Sequence, residues 1–236
     1  MSAHAITLIF SPYHVGIRVH LVGNRPHRIR SLGLIQKLEG LGVSVKLYEI
    51  DRVDNYEGEI GRSFEIMRRI STAVHAAIVN HTFPLILSGN CYASAAAACG
   101  IPAQDLAFIY FDAHDDLDST DVNENGYFDA MGQSMLRSES WKTLMNTVPG
   151  FTPREYHHFL YCGLCDQSPV QRVVDAGMSA IWGDPAQEVD FAAQLRDHLE
   201  GRSYSPALVH LDLDVLDDSY GKVNDYPSPG ACWSLS

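Results

Sequence analysis

Residues 106–116 read LAFIYFDAHDD: six apolar residues, then Asp112-Ala113-His114-Asp115-Asp116. The apolar run is too short for a helix and suits a strand covered on both faces. Similar runs lie on either side of it: Ala5–Phe10 (AITLIF), Val43–Ile50, Phe83–Ser88 (FPLILS), His158–Gly163, Met178–Trp182 and Leu208–Asp214 (LVHLDLD). Helical spacing fills the gaps. Ile60, Phe64, Met67, Ile70, Val74, Ala77 and Ile78 recur every three or four residues and predict a helix over about 61–80. Asn24 is placed to cap a helix carrying Ile29, Leu32, Leu34, Ile35, Leu38 and Leu41, with Gly40 and Gly42 at its end. Tyr92–Cys99 predicts a small-residue helix stopped by Gly100, and further helices are expected near 131–146, from Pro169, and over Val189–Leu199. Strands alternating with helices predict a mostly parallel sheet between two helical layers. No linker or repeat divides the chain, so a single α/β domain is expected over residues 1–236.

Composition excludes several function classes. Apolar residues make up 46% and charged residues 19%, which excludes disorder and coiled coil. The 17 Lys and Arg against 29 Asp and Glu leave a net charge of −12, which repels nucleic-acid phosphates. No apolar run reaches the ~18 residues of a membrane span. There is no basic N-terminal region followed by an apolar stretch, so the expectation is a cytoplasmic protein. Five unevenly spaced cysteines do not form a disulfide framework.

Ligands of such sheets gather beyond the carboxyl ends of the strands. Two strands end there in acid: Asp112-Ala113-His114-Asp115-Asp116, and His210-Leu211-Asp212-Leu213-Asp214. Alternate residues of a strand share a face, so Asp212 and Asp214 point the same way, as do Asp112 and His114 until the strand gives out. Carboxylates packed together raise one another's pKa and destabilise the fold, a penalty that a divalent cation removes. Oxygen ligands with one imidazole suit a hard or borderline ion such as Mn²⁺. A single Asp-x-Asp at a strand end is usually a loop cap, and it is the two motifs together that point to metal.

These residues resemble the ureohydrolase superfamily of arginases and agmatinases. Asp112–Asp116 is similar to its DAHxD motif. His210-Leu211-Asp212-Leu213-Asp214-Val215-Leu216-Asp217 is similar to SxDxDxxDP, with Asp218 in place of the proline. Phe10-Ser11-Pro12-Tyr13 after the first strand, and Tyr161-Cys162-Gly163-Leu164-Cys165-Asp166 against a GxRD segment, extend the similarity over nearly the whole chain. The resemblance implies a three-layer α/β/α arginase-like fold. It also implies a hydrolase that attacks a linear guanidine or amidine carbon with a metal-bound hydroxide, and a small-molecule guanidino substrate. Asp112 and Asp212 would bridge two Mn²⁺ ions. Asp116 would bind the first, and His114 and Asp214 the second. The remaining ligand is a His in a GGDHS motif. Here that segment reads Ser88-Gly89-Asn90-Cys91-Tyr92, so Cys91 is the candidate ligand. A thiolate favours a softer ion than Mn²⁺. Cys91 either ligates such an ion or leaves the first position weak or empty, so one ion rather than two remains open. Cysteine at this position is similar to the branch that hydrolyses N-hydroxy-arginine.

The resemblance also assigns the substrate end and the proton path. Asp116 and Asp129 are the implied catalytic residues, Asp129 falling where arginases carry a proton-shuttling His. Asp118 replaces an Asn that holds the substrate carboxylate, and Ser168 an Asp that holds its α-amino group, so plain L-arginine is not the expected substrate. Asn123 and Asn125 on the same loop complete the implied pocket. Cys162-x-x-Cys165 lacks a second pair and suits a structural role. Family members continue beyond the length seen here with a further strand and helix, so this chain is expected to lack both. Relatives commonly form trimers or hexamers, which leaves a homo-oligomer open. The competing reading is an inactive family member that keeps the metal-shaped pocket for binding, regulation or assembly. The short end, Cys91 and Asp129 favour it.

Overall fold

The computed structural model describes residues 5–53, 56, 58–165, 171–184, 189–200 and 206–216. In chain order its elements are β1 (Ala5–Ser11), β2 (Tyr13–His14), β3 (Ile17–Arg18), α1 (Arg25–Ser31), α2 (Leu34–Gly40), β4 (Ser44–Glu49), α3 (Gly58–Val79), β5 (Phe83–Ser88) and α4 (Tyr92–Gly100). Then come β6 (Ala107–Phe111), α5 (Gly132–Leu136), α6 (Lys142–Met145), β7 (Phe159–Leu164), α7 (Gln171–Asp175), β8 (Ser179–Trp182), α8 (Phe191–Leu199) and β9 (Ala207–Leu211). Among the described residues no helix is long and apolar enough to cross a membrane. The chain divides into two compact units, Met1–Pro102 with Asp118–Thr152, and Ala103–Leu117 with Pro153–Ser236.

The first unit holds a three-stranded parallel sheet in the order β4-β1-β5 and a two-stranded antiparallel pair, β2-β3. Leu8 and Phe10 of β1 are fully buried in an apolar cluster with Leu34, Ile35 and Leu38 of α2 and Val45 of β4. The long helix α3 buries Phe64, Met67, Ile70, Val74 and Ala77, the positions set by its periodicity. Every residue of α4 is buried, and its Ala, Ser and Gly side chains are small enough for close helix approach. The helix expected from Asn24 to Leu41 forms as two, because Gly33 takes a left-handed φ of 87° between α1 and α2. Asn24 makes no side-chain cap.

The second unit holds a four-stranded sheet, order β8-β7-β6-β9, all parallel. β7 is buried throughout, and Phe108 of β6 stacks on Phe159 of β7 with centroids 5.0 Å apart. One face is covered by α8, whose Phe191, Leu195 and Leu199 join Ile109, Leu160 and Ile181 in one apolar cluster. The expected α/β class with parallel strands is the observed one.

Candidate functional site

β6 and β9 are neighbours in the second sheet, with Tyr110 opposite His210 and Phe111 opposite Leu211. Asp112 and Asp212 are therefore the first residues beyond two adjacent parallel strands, and the Asp212 N–H donates to the Phe111 carbonyl at 2.8 Å. Both strands stop before their acids, which corrects the expectation that alternation along a strand aligns Asp212 with Asp214. A side-chain turn closes each end instead. The His114 N–H donates to Asp112 Oδ1 at 2.8 Å, and the Asp214 N–H to Asp212 Oδ1 at 3.0 Å. Asp favours this self-capping turn, which here bends the following residue back over the strand end.

The result is a cluster of charge. His114 Nδ1 lies 3.2 Å from Asp214 Oδ2 and 3.6 Å from Asp112 Oδ1. Donor atoms of Asp112, His114 and Asp214 all lie within 4.8 Å of one another, and so do those of Asp112, His210 and Asp212. Asp112 is 1% exposed. Burial alone would raise its pKa, but hydrogen bonds and charges from His114 and His210 hold it below its usual value. Burial and the charges of Asp112 and Asp214 push Asp212 up to about 6. Burial disfavours the His114 cation, yet hydrogen bonds and charges from Asp112 and Asp214 carry its pKa up to about 11. Three carboxylates and two imidazoles thus surround a region that demands positive charge. This oxygen-rich donor set with imidazole fits a hard or borderline divalent cation.

The rest of the loop is held from below. The Tyr110 hydroxyl donates to Asp116 Oδ2 at 2.6 Å, and Asp116 has a left-handed φ of 51°. Asp116 belongs to neither group of clustered donors; the structure places its carboxylate on Tyr110. The sequence assigns no role to two residues beside the acidic motifs. His210 stands two positions before Asp212, where strand alternation would have placed it on the same face. Arg172, from α7, binds the buried Asp115 carboxylate; nothing in its local sequence marks it.

The other candidate site residues fall in the first unit or outside the described residues, and the Cys162-x-x-Cys165 pair lies in the second. Cys91 precedes α4 and is half-buried. Asp129 is buried, and its Oδ1 accepts the Tyr92 N–H at 3.1 Å, capping the first turn of α4. Asp118 Oδ2 accepts from Asn123 Nδ2 at 2.7 Å. Asn123 and Asn125 both accept the Tyr127 N–H through their Oδ1 atoms, at 2.8 and 2.9 Å. Their amide oxygens therefore build the loop. Ser168, Asp166 and Asp217 lie outside the described residues. Cys162 is a free thiol whose pKa burial pushes up to about 12. Cys165 is disulfide-bonded, a pairing the uneven cysteine spacing gave no reason to expect.

The chain resembles known proteins over most of its length. It is 23% identical to an arginase of Staphylococcus aureus (strain MSSA476) over 229 residues, covering 90% of this chain and 76% of that one. It is 25% identical to arginase-1 of Xenopus laevis over 249 residues, covering 96% and 78%. Its fold matches the crystal structure of arginase from Bacillus subtilis at a TM-score of 0.78, with 22% identity over 91% of this chain and 76% of that one. It also matches formimidoylglutamase from Bacillus subtilis subsp. subtilis str. 168 at 0.67, with 18% identity over 99% and 72%. The model of the Arginase family matches residues 23–222, a span that includes both acidic strand ends, and the chain therefore belongs to the arginase family.

Proposed function

We propose that this chain is a metal-dependent hydrolase that cleaves a C–N bond of a linear guanidine or amidine. The observation that carries the reading is the convergence of Asp112, His114 and Asp214 within 4.8 Å at the ends of two adjacent strands, in a chain of the arginase family. Asp112, His114, Asp212 and Asp214 would hold two manganese ions, with Asp116 positioned by Tyr110 beside them. When bound, such a pair supplies activated water at neutral pH and polarises the carbon under attack. The protein's own contribution is orientation. The paired side-chain turns at Asp112 and Asp212 fix one oxygen of each carboxylate. Asp214 Oδ1 also accepts the Ala113 N–H at 3.4 Å, tying the two strand ends together.

The substrate proposed is a guanidino compound that ends in an amine or is modified on its guanidine, rather than L-arginine. Asp118, matched to an Asn that holds a carboxylate, repels that group and attracts an ammonium. Asn123 orients the Asp118 carboxylate, and Asp129 is the proposed proton relay. The names of the similar proteins, arginases and a formimidoylglutamase, span guanidine and formimidoyl substrates, and support the class without choosing a member. The experiment is release of urea from arginine, agmatine and guanidinobutyrate, and of hydroxyurea from N-hydroxy-arginine, by manganese-loaded protein, beside Asp112→Ala. Turnover of agmatine or N-hydroxy-arginine above arginine, abolished in Asp112→Ala, is expected. No turnover of any of them, or turnover that survives Asp112→Ala, rejects the proposal.

A further inference from the structure

We propose that His210 is itself a metal ligand, so that each of two ions has one imidazole and Asp112 spans them. The inference rests on the metal-centre reading above. Its basis is the way Asp112 divides its two oxygens. Oδ1 faces His114 Nδ1 at 3.6 Å, and Oδ2 faces His210 Nε2 at 3.3 Å. Each side has one further carboxylate: Asp214 beside His114, and Asp212 beside His210. The buried Asp112 is thus shared by two donor groups, each of which includes one imidazole and one further aspartate.

The alternative is that His210 only hydrogen-bonds Asp112 and orients it. A charge-assisted N–H···O bond between such groups normally closes to about 2.7–2.9 Å. Two donors at right angles on a small divalent ion, each about 2.1 Å from it, stand about 3.0 Å apart. The 3.3 Å separation accommodates both arrangements, so the case rests on the donors gathered around the pair. The imidazole is also fixed before any ligand arrives. Its strand partner is Tyr110, on whose ring it stacks with centroids 4.1 Å apart and planes 13° from parallel. Tyr110 is held in turn by its hydroxyl bond to Asp116. His210 is 14% exposed, and strand alternation puts it on the face of β9 that leads to Asp212.

The test is manganese loading of the full chain, read by metal analysis and by pulsed electron paramagnetic resonance of nitrogen coupling, with ¹⁵N-histidine labelling. Wild-type protein is expected to bind two ions with coupling from two histidines. His210→Ser, which installs the residue of the matching SxDxDxxDP motif, is expected to lose one histidine coupling. One site should then weaken beyond the about 10–100-fold that loss of an orienting neighbour costs. Two ions with a single histidine coupling in the wild type overturn the inference and leave the functional reading intact. So does His210→Ser that weakens binding while keeping both couplings, or that binds both ions unchanged. Wild-type protein that takes up no manganese overturns both. The wild-type spectrum decides the matter even if the variant does not fold.

Discussion

Arg172 on α7 reaches the carboxylate of Asp115, the residue between His114 and Asp116, and binds it through two nitrogens. Nε donates to Oδ2 at 2.6 Å, and an Nη2 bond reaches Oδ1. Asp115 is buried, and its backbone carbonyl accepts the Tyr161 hydroxyl at 2.8 Å. The left-handed backbone at Asp116 is therefore pinned from the residue before it as well as by Tyr110. Arg172 braces the loop 112–116 from outside the donor cluster.

Removing Arg172 strands a buried carboxylate. Arg172→Ala is expected to lose about 1–3 kcal/mol of stability, since the guanidinium is partly solvated and the loss falls short of a fully buried pair. Asp115→Asn in the same chain should return much of it, because the buried charge goes with its partner. Urea denaturation of the wild type, both single variants and the double variant measures the coupling. Additive losses would show that the pair does not act as a unit.

The strands were legible because each is a short apolar run bounded by polar residues; Phe83–Ser88 is the clearest case, with the same bounds in sequence and structure. The long helix α3 was legible from its period. The break at Gly33 was not, because Leu32, Leu34 and Ile35 keep the apolar pattern running through it while the backbone turns left-handed. Strand alternation misplaced Asp214 because an aspartate can accept from the backbone N–H two residues on and end the strand itself. His210 carries no role in the sequence because it stands where the SxDxDxxDP motif has its serine and follows the apolar pair Leu208-Val209, so it reads as part of the strand. β2 and β3, two residues each, are too short to carry a period.

Glu65 gives α3 a pH-sensitive anchor. Burial raises its pKa, but hydrogen bonds from Arg69 and Arg68 outweigh this and hold it below the ordinary value of 4.5. Arg69 also donates to the carbonyls of Asp51 and Arg52, so the pair ties α3 to the end of β4. A depressed carboxyl pKa stabilises the fold above the unfolded value, and the contribution disappears as pH falls through the folded one. Glu65→Gln should therefore lower the melting temperature at pH 7 and converge with wild type in acid, below 4.5. A gap that persists there would assign the effect to packing.

Gly100 sets the closeness of α3 and α4. A Cβ there would lie 2.4 Å from the Ser71 carbonyl oxygen and 2.8 Å from Val74 Cβ, with φ outside the left-handed range. Backbone cannot give way as a side-chain tip can. Gly100→Ala is expected to cost about 1–3 kcal/mol. Gly40→Ala, at the end of α2 with nothing within 4 Å, should be neutral or stabilise by about 0.5–1 kcal/mol. Thermal melts should show a loss in Gly100→Ala and none in Gly40→Ala, and equal losses would remove steric crowding as the cause.

Metal uptake should release protons. With His114 raised to about 11 by Asp112 and Asp214, the metal-free protein carries an imidazolium between those carboxylates at neutral pH. A raised histidine pKa stabilises the fold fully below its unfolded value and ceases to do so as pH rises through the folded one. The proton is therefore bound at pH 7 and must leave before Nδ1 can donate to a cation. Each displaced proton makes apparent manganese affinity rise about tenfold per pH unit. Calorimetry at pH 6.5, 7.5 and 8.5, in buffers of differing ionisation heat, measures both the slope and the protons released. His114→Asn should flatten the slope by the share of that one proton. A wild-type affinity independent of pH across this range would mean that His114 does not exchange its proton for metal, and would remove it from the ligand set.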